Sequence, residues 1–215
     1  HQVLPDVTGL PVHPARTNRP ARVRYLTEGK IAGAVLELIN RAKRGDEIRM
    51  TMFYLSDRGV IRALLRAARR GVDVQLILDP NRDAFGHRKN GIPNQPVAWE
   101  LVARSACAIE VRWKETHGEQ FHNKMIVIRR RRHTHTFLGA ANLTRRNLRN
   151  FNLENGVQVS VARGSRLDLQ WQAYFERLWN NQDGAFTAPY AKHCDHSVFK
   201  YLLYRMMEAT GISGF

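Results

Sequence analysis

Cysteine is scarce in this 215-residue chain: Cys107 and Cys194 are the only two, so at most one disulfide can form and no disulfide framework holds the fold. No apolar run approaches the ~18–20 residues that a spanning helix needs. Residues 1–20 also lack an apolar stretch followed by a small-residue cleavage site, so neither a spanning helix nor a secretory leader is read in the chain. Acidic residues are few. With 19 Asp and Glu against 34 Lys and Arg, the formal net charge is +15, which makes polyanions such as nucleic acid, anionic lipid headgroups or small phosphates the expected partners. What remains is ordinary: 43% apolar and 25% charged residues describe a folded globular chain, long enough for one large domain or two small ones.

Residues 1–21 carry Pro5, Pro11, Pro14 and Pro20 with no apolar period, and are expected to be a linker or N-terminal extension. The chain starts at His1 without a methionine, which suggests a processed protein or a piece of a longer one. From Arg22 the apolar period alternates. Strands are expected at Arg22–Leu26, Glu47–Leu55 and Val72–Asp79, separated by helices over Ile31–Ala42 and Val60–Ala68 that stop at Gly45 and Gly71. Further strands are expected at Ala108–Trp113, Phe121–Arg129, Thr134–Ala140 and Val157–Ala162. Helices are expected at Val97–Ser105, over Leu167–Trp179 and around Val198–Met207. Strands alternating with helices of this length predict an α/β fold, a mixed, mainly parallel sheet with helices on both faces, in a domain over 22–181 followed by a helical tail over 182–215. The Asn-, Pro- and Gly-rich stretch from Pro80 to Pro96 is long for a connection and is a candidate for function.

The chemistry concentrates between Phe121 and Glu154. Two residues apart on one strand, His122 and Lys124 would project from the same face roughly 6.5–7 Å apart. An imidazole that attacks or protonates, beside an ammonium that neutralises phosphoryl oxygens, suits phosphodiester chemistry without a metal. Downstream, GAANLTRRNLRNFNLENG supplies Gly139, Asn142, Asn152 and Glu154 just after the next strand.

Here the chain resembles the phospholipase D superfamily, with its HxK(x)4D, GSxN and later carboxylate, as found in bacterial phospholipase-D-like and cardiolipin-synthase-like proteins. The matching residues are His122, Lys124, Gly139, Asn142 and Glu154. The resemblance runs from about Arg22 to Trp179. It implies a phosphodiesterase or phosphatidyltransferase that hydrolyses or transfers phospholipid headgroups through a phosphohistidine. His122 would be nucleophile or acid, Lys124 and Asn142 would hold phosphoryl oxygens beside Gly139, and Glu154 would orient His122 through its other ring nitrogen. No cofactor and no metal are implied.

Two positions depart from the signature: Arg129 stands where the Asp is expected, so any pairing there is expected to be lost, and Ala140 stands where the Ser is expected. The family's site needs two histidine motifs and this chain offers one, so a second half is expected, from the same longer chain or from a homodimer. A metal-independent nuclease is the second reading. A degenerate half that only binds anionic lipid or nucleic acid is the third. The remaining features are expected to be silent: His87-Arg88-Lys89 as a chance HxK, His193-Cys194-Asp195-His196 as a surface tail rather than a zinc site, Arg129–Arg132 as a solvated turn. Cys107 is expected to be buried and inert, and the four tryptophans to fill core or cleft walls.

Overall fold

The computed structural model describes residues 21–84, 87–149 and 151–211, with the side chains of 83, 84, 87 and 88 excepted. The expected linker over 1–21 therefore lies outside the described residues, apart from its last position. The chain builds β1 (Arg22–Thr27), α1 (Gly29–Asn40), β2 (Glu47–Met52), α2 (Arg58–Arg69), β3 (Asp73–Leu78) and the two-residue strands β4 (Asp83–Ala84) and β5 (His87–Arg88). It continues with α3 (Asn94–Arg104), β6 (Ile109–Lys114), β7 (Lys124–Arg129), β8 (His133–Gly139), α4 (Arg145–Leu148) and β9 (Asn155–Ala162). Last come α5 (Arg166–Trp179), β10 (Thr187–Pro189), a 3-10 turn (Tyr190–Lys192) and α6 (Val198–Thr210).

Eight strands form one sheet in the order β1-β9-β8-β7-β2-β3-β6-β10. The class is mixed α/β, as the periodicity predicts, but the expectation of a mainly parallel sheet is corrected. Only β2-β3 and β3-β6 pair in parallel, whereas β1-β9, β9-β8, β8-β7, β7-β2 and β6-β10 are antiparallel. The reason lies in the connections: a parallel neighbour needs a crossover, supplied by α2 between β2 and β3 and by α3 between β3 and β6, while the link of residues 130–132 between β7 and β8 is short enough only for a reversal. β10 fell below the length at which alternation shows, and three residues suffice to pair with β6.

Both faces are covered. Along β7 alternate side chains go to opposite layers: Ile126 and Ile128 join the large core under α1, α2 and α3, while Met125 and Val127 meet Trp171 of α5. Phe175 and Leu178 of α5 close over Ile77 on that second face. α2 shows why these segments become helices. Asp57 caps its start by accepting from the Val60 backbone N–H at 2.9 Å, its apolar stripe from Val60 to Ala68 is buried, and Arg62, Arg66 and Arg69 face outward. α6 buries Tyr204, whose hydroxyl donates to Glu100 of α3 at 2.8 Å.

Candidate active site

Parallel strands β2 and β3 end at the same edge, and β7, antiparallel to β2, begins there with Lys124 opposite Met52. Sequence alternation placed His122 on that strand. The structure starts the strand two residues later, so His122 sits in the irregular segment before it and the expected shared strand face is corrected. That segment is nonetheless pinned on both sides of the imidazole. The Phe121 backbone N–H donates to Asp79 Oδ2 at 2.6 Å, and the Asn123 carbonyl accepts from the Phe53 N–H at 2.9 Å. The Asn123 side chain accepts from the Thr51 hydroxyl at 2.6 Å and bonds the Tyr174 hydroxyl at 3.0 Å. The His122 ring is left exposed, edge-on to Phe53 with 5.0 Å between centroids.

Phe53 is itself fixed by buried amides. Asn94 donates to the carbonyls of Phe53 at 2.7 Å and Asp79 at 2.8 Å and accepts from the Leu55 N–H at 2.8 Å, while Asn81 donates to the Phe53 carbonyl at 3.0 Å. Asp79, Asn81, Asn94 and Asn123 carried no catalytic pattern in sequence. The only signal was the Asn-rich Pro80–Pro96 stretch, whose job here is to frame the strand ends.

Lys124 is 6% exposed; its Nζ donates to the His122 carbonyl at 3.3 Å and lies 5.3 Å from the Phe53 ring centroid. Burial pushes its ammonium down to about 8, against the pull of the Glu154 carboxylate. Burial and the Lys124 charge likewise lower the His122 imidazole below its ordinary value, which favours the neutral ring at neutral pH. Asn142 is brought to the same edge because Leu143 bonds back to the 54–57 loop: its N–H donates to the Tyr54 carbonyl at 3.0 Å and its carbonyl accepts from Ser56 and Asp57 at 2.9 and 2.8 Å. Asn142 Oδ1, an acceptor, is buried and has no hydrogen-bond partner among the described residues.

Glu154 accepts a hydrogen bond from the side-chain amide of Asn147, a buried residue that sequence reasoning missed. Asn147 is held in turn by the Thr144 hydroxyl at 2.8 Å. Gly139 faces Gly156 across β8-β9, and a Cβ there would lie 2.6 Å from the Asn155 carbonyl oxygen, so the close strand approach accounts for its lack of a side chain. Ala140 donates its N–H to that same carbonyl at 3.0 Å.

Arg129 corrects an expectation. Far from losing its pairing, it is buried and donates to Asp168 at 3.0 Å and to Glu47 at 3.1 Å, so only Arg131 and Arg132 of the arginine run are solvated. Cys107 is exposed at a turn with φ of 63°, not buried. The described tail residues are bonded individually: Asp195 takes Lys200 at 2.5 Å, and His196 stacks on Trp99. Among the described residues no three His, Cys, Asp or Glu side chains gather as metal ligands. Nor is any helix there long and apolar enough to cross a membrane.

The fold is that of phospholipase-D-like proteins. Residues 35–179 match the family described as "Cardiolipin synthase, PLD-like domain", and the chain belongs to that family within the phospholipase D superfamily. No curated protein matches the sequence. Among solved structures, the phospholipase D family member Nuc from Salmonella typhimurium superposes with a TM-score of 0.55 at 24% identity, over 75% of this chain and 95% of that one. NucT from Helicobacter pylori gives 0.57 at 17% identity, over 75% and 97%. Phosphatidylserine synthase from Haemophilus influenzae Rd KW20 gives 0.61 at 14% identity, over 89% of this chain but 46% of that one.

Proposed function

We propose that the chain hydrolyses or transfers phosphodiesters by double displacement, with His122 as nucleophile and phospholipids as substrates. One observation carries this: an exposed imidazole, lowered below its ordinary value by burial and the lysine charge, sits against the buried Lys124, whose ammonium donates to the His122 carbonyl at 3.3 Å. In the first step the His122 ring nitrogen bonds to phosphorus as the bond to the leaving oxygen breaks. Lys124 and the Asn142 amide hold the charged phosphoryl oxygens. A second imidazolium, supplied by another half, gives its proton to the departing alkoxide. In the second step that imidazole takes a proton from water or an acceptor alcohol, whose oxygen displaces His122 and regenerates the ring. Glu154, bonded to Asn147, acts on the pair through the charge it sets against Lys124 and through the orientation of the imidazole.

The family description supports the lipid reading. The second half finds support in size: a unit of this length spans nearly all of Nuc but less than half of the phosphatidylserine synthase chain, so such units stand alone or as one part of a longer chain. A metal-independent nuclease is the second reading, favoured by the +15 charge. Activity on phosphatidylglycerol vesicles in the presence of a chelator is expected to exceed that on DNA, with an acid-labile, alkali-stable phosphoryl group trapped on His122. Faster cleavage of DNA reverses the substrate order. No turnover of either, in a preparation containing both halves, leaves only a binding role.

A further inference from the structure

Two sequence features that the catalytic site does not absorb meet in space. Lys89, from the HxK-like triplet, and His193, from the histidine- and cysteine-bearing tail, line one cavity of about 250 Å³ together with Arg82, Glu115, Thr116 and Lys192. Its position follows from the strand order. Pro80, on its floor, comes just after β3, and Glu115 and Thr116 follow β6, so the cavity opens at the strand edge that carries His122. Counting from β7, that is two to three strand spacings of ~4.8 Å away along the sheet. Ligands of α/β sheets gather beyond these carboxyl ends. Side chains link the two places directly: the Lys89 Nζ donates to the Tyr54 hydroxyl at 2.9 Å, and the Tyr54 ring lies 3.9 Å from that of Phe53, which contacts His122.

The lining selects a chemistry. Lys192 is matched by Glu115 at 2.7 and 2.9 Å. Among the described residues Arg82 and Lys89 meet no carboxylate: Lys89 bonds a hydroxyl and Arg82 Nη1 lies 3.3 Å from His193 Nδ1. Since a guanidinium only donates, Nδ1 accepts and the ring's proton sits on Nε2. Two exposed cations thus keep their charge for a ligand, beside the Thr116 hydroxyl and the Glu115 carboxylate, groups suited to alcohols. Among the described residues that line the cavity, the imidazole of His193 is the one ring.

We infer that this cavity is a headgroup subsite that takes a phosphorylated polyol, its phosphate on Arg82 and Lys89 and its hydroxyls on Thr116 and Glu115. The inference rests on the lipid phosphodiesterase reading and adds to it the part of the substrate beyond the reacting phosphorus.

Calorimetric titration of the full chain with glycerol 3-phosphate tests binding without turnover. Two sites are expected in the wild type, one in Lys124→Met, and the other alone in the double variant Arg82→Gln/Lys89→Met, both of whose positions are exposed and spare the fold. In the complete enzyme the double variant is expected to raise KM for cardiolipin about tenfold, the loss of one charged hydrogen bond, with kcat and phosphatidylcholine hydrolysis unchanged. Binding wholly abolished by Lys124→Met, or titrations unaltered in the double variant, would overturn the subsite. So would a larger KM rise on a DNA oligonucleotide than on cardiolipin. If the wild type turns over no phosphodiester, the catalytic reading fails while the titration still decides the subsite.

Discussion

Arg129 donates through Nε to Asp168 Oδ1 at 3.0 Å, joining the end of β7 to the first turn of α5 with side chains 8% and 0% exposed. Asp168 also accepts from the Thr134 hydroxyl and the Gly164 N–H, each at 2.7 Å, and Arg129 reaches Glu47 on β2. Burial alone would raise the Asp168 carboxyl; the Arg129 hydrogen bond and those from Gly164 and Thr134 hold it below its ordinary value.

Arg129→Ala strands that carboxylate, and a loss of about 3–5 kcal/mol of stability is expected at neutral pH. Because the folded Asp168 binds its proton more weakly than the unfolded one, its contribution is complete above the ordinary aspartate range. It is lost as pH falls through the depressed value. Denaturant midpoints of wild type and variant should therefore converge on acidification, while turnover per folded molecule changes little. Equal midpoints at pH 7 would show that the clasp carries no net stability.

The Lys124 ammonium, pushed down to about 8, sets an alkaline limit on phosphate binding. KM for a soluble diester should rise above pH 8, as the free lysine loses its charge. The acid limb of kcat/KM should fall below the ordinary histidine value, because the lowered His122 stays neutral there. A pH–rate profile checks both limbs. A KM flat to pH 10 would remove Lys124 from the binding step.

Glu154→Gln is expected to keep the fold and lower activity by roughly two to four orders of magnitude. Asn147→Ala, which frees the carboxylate to wander, should produce a smaller loss and also shift the alkaline limb of KM, since the Glu154 charge bears on Lys124. Kinetics run beside melting curves separate this from misfolding. Wild-type rates in folded Glu154→Gln would mean that the carboxylate has no catalytic part.

Gly139→Ala introduces a Cβ 2.6 Å from the Asn155 carbonyl, backbone that cannot swing aside. Overpacking of this kind typically costs about 1–3 kcal/mol. A lowered Tm is expected, with activity falling only as far as the β8-β9 pairing shifts. An unchanged Tm with lost activity would instead tie the glycine to substrate.

With one HxK motif at the strand edge, the 215-residue chain is expected to turn over slowly as a monomer, lacking the acid that contributes ~10²–10⁴-fold. Specific activity should climb with protein concentration, or on adding a second half, in step with the sedimenting mass. Full turnover by a strict monomer would dispose of the shared site.

Local periodicity determined most of the elements, because a buried face repeats every second residue in a strand and every three to four in a helix. The HxK and GxxN spacings marked His122, Lys124 and Asn142, whose chemistry depends on residue type. Sequence could not fix the direction of pairing: β7, β8 and β9 look the same to a pattern whether they run with or against β2, and the direction is decided where the folded chain lays each strand beside its neighbour. The partners of Arg129 were equally hidden, since Asp168 lies 39 positions away and a lone Asp inside a helix announces nothing. Asn81, Asn94 and Asn147 read as loop residues, and Asn123 as one position of a strand, until the fold closed around them. A buried amide acquires its role from the carbonyls and carboxylates that strands from elsewhere in the chain bring within 3 Å of it, and that distance is set by tertiary structure alone.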